Sequence, residues 1–322
     1  MKKKWVFNIL RILVSLGLIV FLFWLMRESL GEVALVIKKA DKLILFASFL
    51  FTIFGIILLG VRLKVIMKAQ HLKVNLKEAV SFTFIGQFFS NFLPTTTGGD
   101  IVKAYYVSKK TGKTIHSIAC IIMDRLLGTF TLVVMMLMAS FLVKEIFLTK
   151  PIKIFLIAML IMSFVVILVL FSKKTAKKVP AITSILKRFN AEEKMKGLYE
   201  VVYNYKKQPV MLLNAIFLSI FLQSAMFYSV YLIMRSLNFS TSLKLVFLWM
   251  PIISTLSMAP SINGLGIREG SFVFFFGGLM GKEGAFALSL LWLALNFAVS
   301  LIGGILYVFG NQYQIGKVMK GA

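Results

Sequence analysis

The sequence predicts an all-α polytopic membrane protein, with about six transmembrane helices and two oppositely oriented re-entrant helical hairpins in an inverted repeat. Three observations predict it. The 322 residues are 59% hydrophobic, and the mean hydropathy is +0.89. Several apolar runs reach the length of about 18 residues that a helix needs to cross a bilayer. Basic residues concentrate in the short segments between these runs, as in multi-pass membrane proteins.

Six apolar runs are predicted to cross the bilayer as helices. These runs are 5–26, 43–61, 115–143, 152–171, 210–234 and 284–309. The first of them follows three lysines, as a signal peptide would, but no small-x-small cleavage site comes after it. We therefore expect it to remain as the first transmembrane helix.

Two further stretches, 79–107 and 243–280, are predicted to enter the membrane and return to the same side. In the first, the apolar run stops at Leu93, before Pro94, three threonines and two glycines. A helix rises about 1.5 Å per residue, so a run of about 15 residues covers only ~22 Å of a hydrocarbon core ~30 Å thick. Because its tip also breaks the helix, a bilayer would tolerate it only beside protein or a water-filled cavity.

The distribution of charge predicts the orientation. The basic loop 172–209 carries ten Lys or Arg residues, and we expect it in the cytoplasm. With both hairpins re-entrant, 25 basic residues then lie inside and 10 outside, and only Arg125 and Arg268 remain at membrane depth. This predicts a cell (plasma) membrane protein with both termini in the cytoplasm.

The order of these segments repeats with opposite orientation. Residues 1–151, with the hairpin 79–107, form the first predicted repeat. Residues 152–322, with the hairpin 243–280 and the basic loop 172–209, form the second. Many secondary transporters share this plan, and their substrate sites lie near the midplane, where broken helices meet.

Ionisable side chains at membrane depth are costly and are therefore candidates for function. Asp124 and Arg125 are adjacent in an apolar run, and adjacent helical positions point about 100° apart. Each therefore needs a partner from another element. Asp100 or Glu269 is expected for Arg125, and Arg268 for Asp124. In the alternative, these pairs only clamp the hairpins and contact no substrate.

Glycines precede the second helix of each hairpin, so each tip is expected to present a helix N-terminus. Free N–H groups and the positive end of the dipole suit an anion there, and the nearby cations make phosphate the ligand that fits. The alternative is that the glycines only permit tight turns and close packing. The predicted substrate-binding set is Asn91, Pro94, Gly98, Gly99, Asp100, Lys103, Asp124, Arg125, Pro260, Asn263, Gly264, Gly266, Arg268 and Glu269.

Other residues are interpreted without a substrate role. The two asparagines of that set have a second interpretation as hydrogen-bond partners of the hairpin backbone. Arg62, at the cytoplasmic end of the second span, is interpreted as a snorkelling anchor at the interface. Cys120 has no partner for an internal disulfide, and His71 and His116 lack companions at metal-ligand spacing. We expect no catalytic residue, metal or cofactor.

The net charge of +25 would suggest nucleic acid in a soluble protein. Here the charges lie between membrane spans, where they set orientation and contact anionic lipid. The predicted partners are therefore the membrane and an anionic lipid substrate, and no nucleic acid.

Three motifs resemble those of a known family. They are N-F-L-P-x-x-x-G-G-D-x-x-K at 91–103, D-R-L-L-G at 124–128 and P-x-x-x-G-L-G-x-R-E at 260–269. In order and spacing they resemble the flippase-like membrane region of lysylphosphatidylglycerol synthases, the multiple peptide resistance factor family. That family usually has Arg where this chain has Lys103, so a point charge replaces a bidentate group here.

The resemblance implies translocation of a phospholipid or a polyprenyl-phosphate-linked lipid between leaflets, by alternating access around a midplane phosphate site. It implies a stand-alone member without the synthase domain, because the chain ends shortly after its last predicted span. Two alternatives stay open: a membrane-embedded, lipid-linked glycosyl or aminoacyl transferase, and a non-transporting membrane scaffold.

Overall fold

The computed structural model describes residues 30–92, 98–142, 192–258 and 264–309, together with positions 154, 157, 158 and 161. Within these residues the chain is helical, and no strand occurs. The helices are α1 Leu30–Lys38, α2 Lys42–Ala69, α3 Leu76–Phe92, α4 Gly98–Thr111, α5 Thr114–Leu142, α6 Glu192–Asn204, α7 Pro209–Ser236, α8 Leu243–Leu256 and α9 Ile267–Phe309, with a 3₁₀ turn at Tyr205–Lys207.

Local sequence explains where several helices begin. The Asp41 carboxylate caps α2 by accepting hydrogen bonds from the backbone N–H groups of Leu43 (2.8 Å) and Ile44 (3.2 Å). A reciprocal capping box starts α3, because the Asn75 side chain accepts from the Glu78 N–H while Glu78 accepts from the Asn75 N–H. These caps satisfy N–H groups that would otherwise lack a partner.

Four of the described helices are long and apolar enough to cross a membrane. They cover Lys42–Ala69, Thr114–Ala139, Pro209–Ser236 and Ile267–Phe309. They contain the predicted spans 43–61, 210–234 and 284–309 and most of 115–143, and the chain is a membrane-embedded, multi-pass protein. The predicted span 5–26 and most of 152–171 lie outside the described residues.

Helix α9 combines two predicted segments. It runs for 43 residues but is interrupted at Gly281, whose backbone has φ 74° and ψ 160°. A positive φ suits glycine because no Cβ clashes with the backbone there. The interruption lies at the predicted boundary between the hairpin 243–280 and the span 284–309.

Helices α3 and α4 form an antiparallel hairpin. Three contacts trace it from base to tip: Glu78 to Lys110 at 2.7 Å, the stacked rings of Phe82 and Tyr106 at 5.4 Å, and Gly99 against Gly86. A Cβ on Gly99 would lie 2.1 Å from the Gly86 carbonyl oxygen, so the two backbones touch there.

Helix α8 and the first part of α9 form the second antiparallel hairpin. Near its middle, the rings of Trp249 and Phe275 stack at 4.9 Å, and near its tip Gly264 packs on Ser257. The two helical hairpins therefore occur where the sequence predicts them. Their re-entrant course and the inverted repeat stay predictions.

Small residues fix the remaining helices around the hairpins. In α2 and α7, the hydroxyls of Ser48, Thr52 and Ser229 form a buried hydrogen-bond network with distances of 2.7 and 2.8 Å. In α9, a Cβ on Gly303 would lie 2.0 Å from the carbonyl oxygen of Phe84 in α3. Close backbone contact and interhelical hydroxyl bonds are the usual means of packing helices in lipid. The first hairpin is thus fixed against the last span.

Candidate functional site

A cavity of about 390 Å³ lies between the first hairpin, the membrane helices and α8. Five ionisable side chains from three helices line it: Arg62 of α2, Asp100 and Lys103 of α4, and Asp124 and Arg125 of α5. Four of these five belong to the predicted substrate-binding set. The structure therefore brings the first hairpin tip and the charged turn of α5 to one site.

Arg62 and Asp124 form the most deeply buried ion pair of this cavity. Nε of Arg62 lies 2.8 Å from Oδ1 of Asp124, and the two side chains are only 4% and 5% exposed. The guanidinium also donates a hydrogen bond of 2.8 Å from Nη1 to the Ser219 hydroxyl. It packs over Gly128, where a Cβ would lie 3.2 Å from Nη1. Arg62 is therefore held by an ion pair, a hydrogen bond and close packing.

Two sequence-based expectations are wrong here. Arg62 is not a snorkelling anchor, because α2 continues beyond the predicted end of the span at Val61 to Ala69 and carries Arg62 into the interior. Arg268 is not the partner of Asp124, because α2 packs beside α5 and Arg62 occupies that position. An arginine followed by further apolar residues, as in the sequence after Val61, was the signal that the helix continues.

Asp100 binds two cations at once. Its carboxylate lies 2.7 Å from Nζ of Lys103, one turn further along α4, and it accepts a hydrogen bond from Nη1 of Arg125 in α5. The expected Asp100–Arg125 pair is confirmed, while Glu269 pairs elsewhere. The pair is more accessible than Arg62–Asp124, since the side chain of Arg125 is 36% exposed and that of Asp100 is 23% exposed.

The tip of the second hairpin is organised around Glu269. Its Oε1 accepts hydrogen bonds from Nη2 (2.7 Å) and Nε (3.0 Å) of Arg268, and its Oε2 accepts one of 2.6 Å from the Gly266 N–H. Gly264 and Gly266 adopt positive φ values of 76° and 84°, so glycine is required for this turn. The carboxylate thus binds its neighbouring arginine and the turn that precedes it.

Arg268 lines a second cavity of about 230 Å³. This cavity and the larger one share several lining residues, among them Arg125, Ser254 and Trp292. The Arg268 guanidinium therefore lies next to the central cavity, although its charge is compensated by Glu269. Arg125, which bonds to Asp100 of the first hairpin, thus lines both cavities.

The remaining members of the predicted set have different positions. Asn91 is buried in α3, and Gly98 and Gly99 are buried at the start of α4. The close contact of Gly99 with Gly86 supports the packing interpretation of that glycine. Pro94, Pro260 and Asn263 lie outside the described residues.

Sequence reasoning missed two polar residues of α7 at this site. Gln223 of α7 lines the cavity and donates a hydrogen bond of 2.9 Å to the Gly128 carbonyl. Ser219, one turn before it, binds Arg62. A glutamine and a serine spaced by four on an apolar helix lie on one face, and this spacing was the available signal.

Comparison with known proteins agrees with the motifs. The comparison with curated proteins gave no match, and neither did the comparison with solved structures. A family model matches residues 8–304, which is most of the chain, and it supports a function connected with membrane lipids. The protein therefore belongs to the family described as the lysylphosphatidylglycerol synthase TM region.

Proposed function

We propose that the protein moves an anionic phospholipid or a polyprenyl-phosphate-linked lipid between the two leaflets, by alternating access around the central cavity, and performs no covalent chemistry. We also propose that it acts in the plasma membrane with both termini in the cytoplasm. The observation that carries the proposal is the charge of the cavity wall.

Three cations and two carboxylates line the cavity among the described residues, so this wall carries one positive charge in excess. A charge at membrane depth is costly unless a counter-charge or hydrogen bonds compensate it. A phosphodiester carries one negative charge and offers several acceptor oxygens. It would therefore balance the wall and accept the hydrogen bonds that Arg and Lys donate.

The two ion pairs of the cavity differ in how readily they exchange partners. Arg62 is buried with Asp124 and also bound by Ser219, so an incoming anion would have to break several contacts. Arg125 is partly exposed, and its partner Asp100 keeps Lys103 when Arg125 turns away. A lipid phosphate can replace Asp100 at Arg125 without leaving the carboxylate uncompensated. Such exchange suits transport, which requires binding and release.

Lipid flipping in vesicles tests this proposal. Purified protein is reconstituted in phosphatidylcholine vesicles that contain fluorescent phosphatidylglycerol, and flipping is followed by chemical quenching of the outer leaflet. A hydrogen bond to a charged group contributes about 1.5–3 kcal/mol, so Arg125→Gln should slow flipping about tenfold to hundredfold. Arg235→Gln is the matched control, because Arg235 is exposed at the end of α7 and does not line the cavity.

Two results would overturn the proposal. One is flipping by Arg125→Gln at the rate of the unmodified protein. The other is transfer of a sugar or an amino acid to a lipid by the purified protein in the absence of flipping, which would decide for the transferase.

A further inference from the structure

A groove of about 470 Å³ runs between α4 and α5. Its walls are almost entirely apolar, and Ile101, Ile118 and Ile122 line it with exposed fractions of 65%, 38% and 36%. One end lies at the hydroxyls of Ser108 and Thr114, which are 2.7 Å apart beside the turn between the helices. The opposite end is charged.

Asp100 and Arg125 form this charged end, and both residues also line the central cavity. Their ion pair therefore separates an apolar groove from a charged cavity. At about 1.5 Å per residue, α5 rises ~16 Å from Thr114 to Arg125, which is about half of a hydrocarbon core ~30 Å thick. The groove thus has the length of one leaflet.

We propose that this groove holds an acyl chain of the transported lipid while its phosphate occupies the central cavity, and that the Asp100–Arg125 pair closes the inner end of the groove when no lipid is bound. The inference rests on the proposed function and adds the path of the lipid chain. The occupant is the hydrocarbon chain of an anionic lipid.

Charge complementarity identifies this occupant. An anionic lipid has an apolar chain joined to a phosphate, and the groove joins an apolar wall to Arg125 in the same order. When the phosphate binds Arg125, the guanidinium exchanges one anionic partner for another, and Lys103 at 2.7 Å keeps Asp100 compensated. When the inner end of the groove opens, a phosphate–Arg125 ion pair therefore replaces the Asp100–Arg125 ion pair.

Quenching by spin-labelled lipids tests whether a chain lies in the groove and whether the head group selects it. Ile122→Cys, in a Cys120→Ala background, receives a bimane fluorophore. Phe217→Cys on α7 is the control, because Phe217 is 61% exposed and does not line the groove. Vesicles contain phosphatidylglycerol or phosphatidylcholine with a nitroxide on the acyl chain.

At position 122, phosphatidylglycerol should bind about tenfold more tightly than phosphatidylcholine, as judged by the lipid fraction that gives half-maximal quenching. This ratio corresponds to a preference of ~1.4 kcal/mol. At position 217 the two lipids should quench equally, and Arg125→Gln should remove the preference at 122. If the two lipids quench equally at position 122 while Arg125 is intact, the quenching comes from ordinary boundary lipid, and the inference is overturned. No quenching by either lipid would mean that protein covers the groove, and would also overturn it.

A second variant separates this inference from the proposed function. Ala104→Trp narrows the groove, which Ala104 lines, without changing a lining residue of the charged cavity, so it should slow flipping about tenfold while short-chain dihexanoyl phosphatidylglycerol still binds as before. Flipping by Ala104→Trp at the normal rate would overturn the path of the acyl chain through the groove and leave the proposed function standing. Absence of flipping by the unmodified protein would overturn the proposed function itself, and the inference with it.

Discussion

The two hairpins use similar residues at their tips but pair them differently. In the first, the carboxylate of Asp100 bonds to Lys103 in its own helix and to Arg125 in α5. In the second, the carboxylate of Glu269 bonds to the adjacent Arg268 and to the backbone of its own turn. The first hairpin is thus connected to the membrane helices through its charges, whereas the second compensates its charges locally.

The two hairpins also differ in which groups hold their helices together. In the first, Gly86 and Gly99 bring two backbones into contact, and two glycines near the end of α9 press against α3. The second is joined by an aromatic stack of Trp249 on Phe275. Backbone contacts leave little freedom, while side chains can change rotamers. The comparison therefore predicts that similar substitutions have different effects in the two hairpins.

The largest difference between the two hairpins is expected in their topology. If both hairpins are re-entrant and enter from opposite faces, Ser108→Cys should react with an impermeant maleimide only from the cytoplasm, and Glu283→Cys only from outside. The measurement compares intact and permeabilised cells in a Cys120→Ala background, so that the introduced cysteine is the only one in the chain. Labelling of position 108 only from outside, or of position 283 only from inside, would contradict the arrangement.

The next largest effect is expected at the Arg268–Glu269 pair. The two side chains are 11% and 6% exposed, and removing one partner of a buried pair costs about 3–5 kcal/mol because the other charge is left uncompensated. Arg268→Ala and Glu269→Gln should therefore each lower the melting temperature, and the double variant should recover much of the loss.

Flipping measured on these three variants and on Arg268→Lys distinguishes a structural pair from a phosphate-binding one. If Arg268 also contacts the lipid phosphate, the double variant stays folded but does not transport, and Arg268→Lys retains part of the activity because it keeps the charge and loses the planar fork. Normal transport by the neutral double variant would show that Arg268 has no such role.

These pairs show what the sequence could and could not predict. The hairpins and long helices follow from features local in the chain, such as the length of an apolar run or a proline and two glycines at its end. Ion pairs such as Arg62–Asp124 depend on which helices are neighbours. Arg62 was misjudged because charged residues after Val61 lower the hydropathy, although Arg and Lys are good helix formers and α2 continues. Asp100–Arg125 was predictable because few carboxylates lie at that depth.

Matched glycine substitutions should give a smaller effect of opposite sign in the two hairpins. A Cβ on Gly99 would lie 2.1 Å from the Gly86 carbonyl oxygen and from the Ser90 hydroxyl, so Gly99→Ala must move α3 and α4 apart, at a cost of about 1–3 kcal/mol. Gly278 in α9 has no neighbour within 4 Å, and Gly278→Ala should stabilise the helix by about 1 kcal/mol. Thermal unfolding in detergent measures both, and an unchanged melting temperature for Gly99→Ala would contradict the close packing of the first hairpin.

Asp100→Asn is expected to change stability least, but its effect on lipid binding is informative. The amide keeps one acceptor oxygen, which can bind Lys103 or Arg125, while its NH2 group faces the other cation. Because the pair is partly exposed, the loss of stability should still be only about 1 kcal/mol. The cavity wall gains a second positive charge in excess, because one of its two carboxylates is gone. Anionic lipid should then be retained about tenfold more tightly, equivalent to ~1.4 kcal/mol, while flipping slows because release is hindered.

This retention is measured as the amount of phosphatidylglycerol that remains bound through purification, quantified by mass spectrometry. Glu200→Gln on α6 is the control, since Glu200 is exposed and does not line the cavity. Weaker retention by Asp100→Asn than by this control would mean that Asp100 helps to bind the lipid and does not compete with it for Arg125.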